Sequence, residues 1–199
     1  MTFVHFITHP EVAIDPAVPV PDWPLSPRGR QRLRAALKQP WLTGVRAVFT
    51  SAERKARESA DILARPLGLA PIVIAGLGEN DRSATGYLPK AEFEALADAF
   101  FAQPDDSVRG WETASAAQRR IIDAVDRAIA MAPPAGDIAI VAHGGVGALL
   151  LCHLKRVPIS RTEDQPSGGG GNVFAFDSAT RRLIHGWQPI DAPPPARPG

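Results

Sequence analysis

The chain has a single cysteine, Cys152. It can close no internal disulfide and build no cysteine-rich metal cluster, so a reducing compartment is the simpler expectation. It also lacks a surplus of either charge. With 22 basic against 21 acidic residues the net charge is +1, which gives no whole-molecule attraction to nucleic acid or to an anionic membrane. An anionic partner must then be met by a local cluster. The segment Met1–Thr8 lacks the basic start, apolar stretch and small-residue cleavage site of a secretion signal. Long apolar runs are missing too: the longest, from Ile138 to Leu154, is interrupted by His143 and three glycines. It reads as a buried strand, a turn and a packed helix, not as a membrane span. These absences predict a soluble, cytoplasmic protein that binds neither nucleic acid nor membrane; they leave its oligomeric state open.

What is present is ordinary for a globular protein. An apolar fraction of 45% and a charged fraction of 22% exclude a disordered, collagen-like or coiled-coil chain. A length of 199 residues suffices for one substantial core and is short for two. One domain over residues 1–190 is expected, with a disordered proline-rich tail over 191–199.

Phe3 to Ile7 is aromatic and β-branched and stops at His9-Pro10, which predicts a first strand. The proline-rich stretch Asp15 to Pro24 has to be an extended loop. Ser26-Pro27 predicts a helix from about Pro27 to Lys38, and Val45 to Thr50 a second strand. Ser51 is expected to cap a helix whose apolar side is Ala56, Ala60, Ile62 and Leu63, ending near Pro66–Gly68. Ile72–Ile74 reads as a short apolar strand, Glu79–Pro89 as a loop, and Ala91–Phe101 and Thr113–Met131 as helices. Ile138–Ala142 gives the clearest strand signal, and Asn172–Asp177 with Leu183–Trp187 a closing pair. Strands alternating with helices imply an α/β fold: a mainly parallel central sheet with helices on both faces.

In such sheets ligands gather beyond the carboxyl ends of the strands. Three of the predicted strands end there in capable residues: Thr8-His9, Ser51 through Arg57, and His143-Gly144-Gly145. A histidine is nearly neutral at physiological pH and carries a nucleophilic nitrogen, so one ring of the pair can accept a phosphoryl group while the other binds its oxygens. Arg54, Lys55 and Arg57 near a helix start add positive charge, and phosphate is the natural guest.

The order of these motifs resembles the histidine phosphatase superfamily, also called phosphoglycerate-mutase-like. It is carried by a strand ending in His9, by Thr50-Ser-Ala-Glu-Arg-Lys55-Ala-Arg-Glu-Ser-Ala60, and by Val141-Ala-His-Gly-Gly-Val146 before a leucine-rich helix. The resemblance runs from Val4 to about Asp177. It implies the phosphoglycerate-mutase-like fold, no cofactor and no metal. It also implies that His9 is the nucleophile, His143 the second phosphate-binding histidine and Glu79, in Leu77-Gly-Glu79, the proton donor. Thr8, Ser51, Arg54, Lys55 and Gly144 would line the phosphate site. Two positions depart from the pattern: Thr8 stands where the family has arginine before its nucleophile, and Lys55 where it has arginine on the helix. Planar bidentate clamps are thereby replaced by a hydroxyl and a point charge; Arg54, Arg57 or Arg82 could restore the charge.

Other readings of single residues stand beside these. Glu79 could be a solvated ion-pair partner, with Asp81 or Glu112 taking its role. His5, His153 and His185 lack motif context and read as structural. Gly168–Gly171 reads as a flexible turn near the site, since no Lys-Ser or Lys-Thr follows it. The expected function is a metal-independent phosphatase acting on a phosphorylated small molecule or phosphoprotein through a phosphohistidine. Mutase-type transfer and a non-catalytic binder of phosphorylated ligands are the alternatives.

Overall fold

Alternation along the first strand sorts side chains to two sides. In β1 (Phe3–Thr8), Val4 and Phe6 enter one apolar cluster and Ile7 the other. The computed structural model describes residues 1–192, and within them the same division recurs in β2 (Val45–Thr50), β4 (Asp137–Ala142) and β5 (Asn172–Asp177). The strands form one six-stranded sheet in the order β3-β2-β4-β1-β5-β6, completed by β3 (Ile72–Val73) and β6 (Leu183–Pro189). β1 to β4 run parallel; β5 and β6 are antiparallel additions at one side.

Helices cover both faces. α1 (Pro27–Ala36) and α2 (Arg54–Ala64) bury Leu33, Ala36, Ala56, Ala60 and Leu63 against Ile7, Val48 and Val141. α3 (Lys90–Ala102), α4 (Ala114–Met131) and α5 (Gly144–Lys155) cover the face of Phe6, Phe49 and Phe174. Side chains this fully buried contribute about 1.5–3 kcal/mol each relative to exposure. Ser26 caps α1 by accepting the Gly29 N–H at 3.0 Å, and Thr113 caps α4 through the Ala116 N–H at 3.2 Å.

The departures from the sequence reading have local causes. α1 ends at Ala36 because the chain tightens into a 3-10 turn over Pro40–Gly44. The short apolar strand expected over Ile72–Ile74 is β3, an edge strand in which Ile72 and Val73 are both exposed while Ile74 is buried. α2 starts after Glu53, and Ser51 does not cap it as an N-cap residue would. Asp191 and Ala192 are held, by the Arg32 guanidinium and by the Gln39 amide; the rest of the expected tail, 193–199, lies outside the described residues. Among the described residues no helix is long and apolar enough to cross a membrane.

Candidate active site

Parallel pairing fixes the site before any side chain does. Thr8 is level with Ala142 and Thr50 with Val141, so β1, β4 and β2 end together. The ladder runs one step further, with His9 N–H on the Ala142 carbonyl and Ser51 N–H on the Val141 carbonyl, both at 3.2 Å. His9, His143 and Ser51 are therefore neighbours although 134 residues separate the first two.

The His9 and His143 rings lie 5.2 Å apart, centroid to centroid, inclined at 68°. His9 Nδ1 is 2.9 Å from the Pro10 carbonyl. Since that oxygen can only accept, Nδ1 carries the proton and Nε2 keeps its lone pair. Burial, then the neighbouring His143, lowers the pKa of the ring to about 3, so it is uncharged at neutral pH. The backbone beneath it is equally constrained. Gly171 N–H donates to the His9 carbonyl at 3.0 Å, and a Cβ at Gly170 would sit 2.2 Å from that oxygen. Gly168–Gly171 all take positive φ; they are the turn that supports the backbone of His9. Arg32 clamps it from outside through the Gly170 and Gly171 carbonyls.

His143 is fully buried, with Nε2 2.7 Å from Ser51 Oγ and 3.3 Å from Glu53 Oε1. Its Nδ1 has no partner among the described residues. Burial lowers the pKa of this ring as well, against the opposing pull of Glu53 and Glu79. Ser51 and Glu53 both meet the ring at Nε2, so Nδ1 is the nitrogen left for a group from outside the protein.

Lys55 is buried, as a side chain that faces the site must be, but its ammonium is engaged by the Val20 carbonyl at 2.8 Å and by the Glu53 carboxylate. Arg54 and Arg57 are exposed; Arg54 pairs with Glu58 at 3.1 Å, which corrects its expected place among the phosphate ligands. Thr8 is also diverted. Its hydroxyl donates to Gln165 Oε1 at 2.7 Å and accepts the Asn172 N–H at 3.0 Å, tying β1 to β5 instead of facing a phosphate. Arg82 stacks over Phe93 and Trp111, 5.0 and 5.7 Å from their ring centres, and is near enough to Glu79 and His143 to shift their ionisation.

Glu79 belongs to the cluster. Its carboxylate accepts the Gly145 and Val146 N–H groups, each at 3.0 Å, and so caps α5, whose N-cap residue His143 makes no side-chain cap. Burial works to raise its pKa, but Arg82, His143 and these N–H groups hold it below the ordinary carboxylate value. Gly144 begins α5 against Gln165, whose amide nitrogen would lie 2.3 Å from an added Cβ. Asp81 is exposed, and Glu112 is bound to Arg120, which also holds the Gly76, Gly78 and Glu79 carbonyls; neither competes with Glu79 for the site. His5 stacks on Trp41 and meets Asp137, and so is structural.

Glu53 was not singled out by its sequence context. Burial pushes its carboxyl up, yet His143 and Lys55 pull it down to about 2, and it also accepts the Glu79 N–H at 3.0 Å. Glu53 lies inside the segment Thr50–Ala60 that carries the resemblance, between Ser51 and Lys55. Gln165 and Asn172 came from a loop and a strand without any motif.

A family model described as histidine phosphatase superfamily (branch 1) matches residues 9–181. No curated protein matches the chain. Several solved structures do share its architecture. A mycobacterial glucosyl-3-phosphoglycerate phosphatase in complex with inorganic phosphate superimposes with a TM-score of 0.77 at 21% identity, covering 97% of this chain and 100% of the other. YhfR of Bacillus stearothermophilus gives 0.74 at 21% identity, with 94% and 95% covered. Phosphoserine phosphatase of Entamoeba histolytica, in complex with 3-phosphoglyceric acid, gives 0.73 at 17% identity, with 94% and 98% covered. At these identities the likeness shows the fold.

Proposed function

The chain belongs to the histidine phosphatase superfamily, and on that premise we propose that it is a metal-independent phosphatase working through a phosphohistidine at His9. One observation carries this reading: an uncharged His9, fixed through Nδ1 to the Pro10 carbonyl, has a free Nε2 lone pair 5.2 Å, ring to ring, from a second histidine whose buried Nδ1 has no partner among the described residues. The substrate is a phosphorylated small molecule or phosphoprotein.

His9 Nε2 attacks phosphorus, the ester P–O bond breaks, and the leaving oxygen takes a proton from Glu79. Water then gives a proton back to Glu79 and attacks the phosphohistidine; the P–N bond breaks, inorganic phosphate leaves and His9 returns. Glu79 is a carboxylate in the resting site. The arriving phosphate dianion raises its pKa by like-charge repulsion, which loads the proton for the first step. His143 through Nδ1, the Gly144 N–H and Arg82 stabilise the equatorial oxygens, where charge accumulates in a loose transition state. Ser51 acts by holding His143. Mutase-type return of the phosphoryl group is less well served, because position 8 contributes no cation.

A second reading, a non-catalytic binder of phosphorylated ligands, has a specific observation in its favour. Thr8 and Lys55, which replace the clamping arginines, are both committed to partners within the protein. Turnover of p-nitrophenyl phosphate decides between them. His9→Ala should lower it by at least about a thousandfold, and an alkaline quench of the wild type should trap acid-labile phosphate on His9. Wild-type turnover equal to that of His9→Ala, with phosphate still bound, would establish the binder.

A further inference from the structure

A cavity of about 750 Å³ opens from the two carboxylates of the site, Glu53 and Glu79, away from the histidines. That volume lies within the range of about 300–1,000 Å³ usual for pockets that enclose whole small molecules. It is much more room than a phosphate or a three-carbon phosphoester fills. Its walls are Val20, Trp23, Tyr87, Leu88 and Phe93, contributed by the proline-rich loop after β1 and by the segment leading into α3. Trp23 and Tyr87 meet edge to face with ring centres 5.7 Å apart, bringing the two segments together. The indole of Trp23 is itself pinned to the Asp15 and Val18 carbonyls.

Polar residues also line the cavity: Glu53, Glu79, Asn80, Asp81, Arg82, Ser83 and Lys90. Asn80 is buried, with an exposure of 6%, and its Nδ2 has no hydrogen-bond partner among the described residues. A buried amide donor left unpaired in the empty protein costs about 1–3 kcal/mol unless a ligand acceptor meets it. Arg82 is flattened against Phe93 on the same wall, between the cavity and the histidines. The ring and aliphatic walls differ in kind from the charged groups Glu53, Glu79, Asp81, Arg82 and Lys90, and polar groups of a leaving group set against those walls would lose water without a partner. A planar apolar group loses little and gains ring contacts.

We propose that this cavity receives the leaving group, and that the substrate is an aryl or similarly planar, mainly apolar phosphomonoester bearing a hydrogen-bond acceptor opposite Asn80. The substrate class rests on the phosphatase reading; the ring preference of the cavity does not. Short polar phosphoesters such as 3-phosphoglycerate and phosphoserine are poor substrates on this view.

The test separates binding from turnover, because a phenol is a better leaving group than an alkanol and rates alone would mislead. Affinities of the full chain are measured calorimetrically for 1-naphthylmethylphosphonate, 3-hydroxypropylphosphonate and methylphosphonate, which cannot be hydrolysed. The naphthyl compound should bind at least about tenfold tighter than the other two. Tyr87→Ala should erode that preference about three- to tenfold and leave methylphosphonate unchanged. Tyr87 is 40% exposed, so this variant keeps its core; Ile14→Ser, at a cavity residue 60% exposed, is the second. Equal binding of all three phosphonates overturns the proposal. Parallel turnover assays on aryl and alkyl phosphates report on the premise: aryl preference in binding without hydrolysis keeps the cavity's specificity and overturns the phosphatase, whereas hydrolysis without aryl preference does the reverse.

Discussion

The slot between the two histidines and the cavity beside it share Glu53 and Glu79 as a border, yet they are built by opposite means. The slot is made by backbone: adjacent parallel strands end level, and His9, Ser51 and His143 follow from that register. His143 Nδ1 is buried there and has no partner among the described residues, and His9 Nε2 is free beside it. The cavity is made by side chains from two irregular segments, held by ring contacts and the pinned indole of Trp23. A site assembled by a sheet is rigid whatever fills its loops, while a site assembled by loops can change its guest with a few substitutions. The chemistry therefore belongs to the family and the choice of substrate to this chain.

The sharpest way to break that comparison is Glu79→Gln, a change on the border. With no proton to give, it should lower kcat on alkyl phosphates by about a hundredfold and affect p-nitrophenyl phosphate much less, because nitrophenolate needs no proton. Equal losses on both substrates would reduce Glu79 to the cap of α5. Next in size is Gly170→Ala, which tests whether the slot is truly held by backbone. A residue at φ +79°, with its Cβ 2.2 Å from the His9 carbonyl, should cost about 1–3 kcal/mol in denaturant unfolding. An unchanged midpoint would show that the glycine turn carries no constraint.

Glu53→Gln should act in the opposite sense. It removes the anion that occupies Lys55 while keeping an acceptor for the Glu79 N–H, so inorganic phosphate should bind about three- to tenfold tighter by calorimetry. Weaker binding would mean that the carboxylate orients Lys55 for the ligand. The smallest expected change is none. With its pKa at about 3, the His9 ring should give imidazole NMR shifts that stay constant from pH 8 to pH 5. The sign for stability follows. The unfolded ring takes a proton below its ordinary value of about 6.5 and the folded ring does not, so this contribution is complete above about pH 6.5 and lost as pH falls toward about 3. A ring titrating near 6.5 in the native protein would contradict a buried, neutral nucleophile.

Much of this molecule was legible without coordinates. Phe3–Ile7, Val45–Thr50 and Ile138–Ala142 read as strands because apolar side chains were needed on both of their faces, and the helices between them required parallel pairing. With that, His9, Ser51 and His143 had to meet at one edge. What the sequence could not order was the set of partners. Lys55 and Arg54 are adjacent and alike in charge, yet one is buried against Glu53 and Val20 and the other faces solvent with Glu58. Thr8 was expected to line the phosphate site and is taken by Asn172 and Gln165, more than 150 residues away.

Periodicity and strand order are properties of a chain segment, set by which faces must leave water, and the sequence by itself determined them. Whether a charged or polar side chain is free for a ligand depends on every group that reaches it from distant elements, at distances where a single ångström separates a bond from none. Only the tertiary structure could decide that.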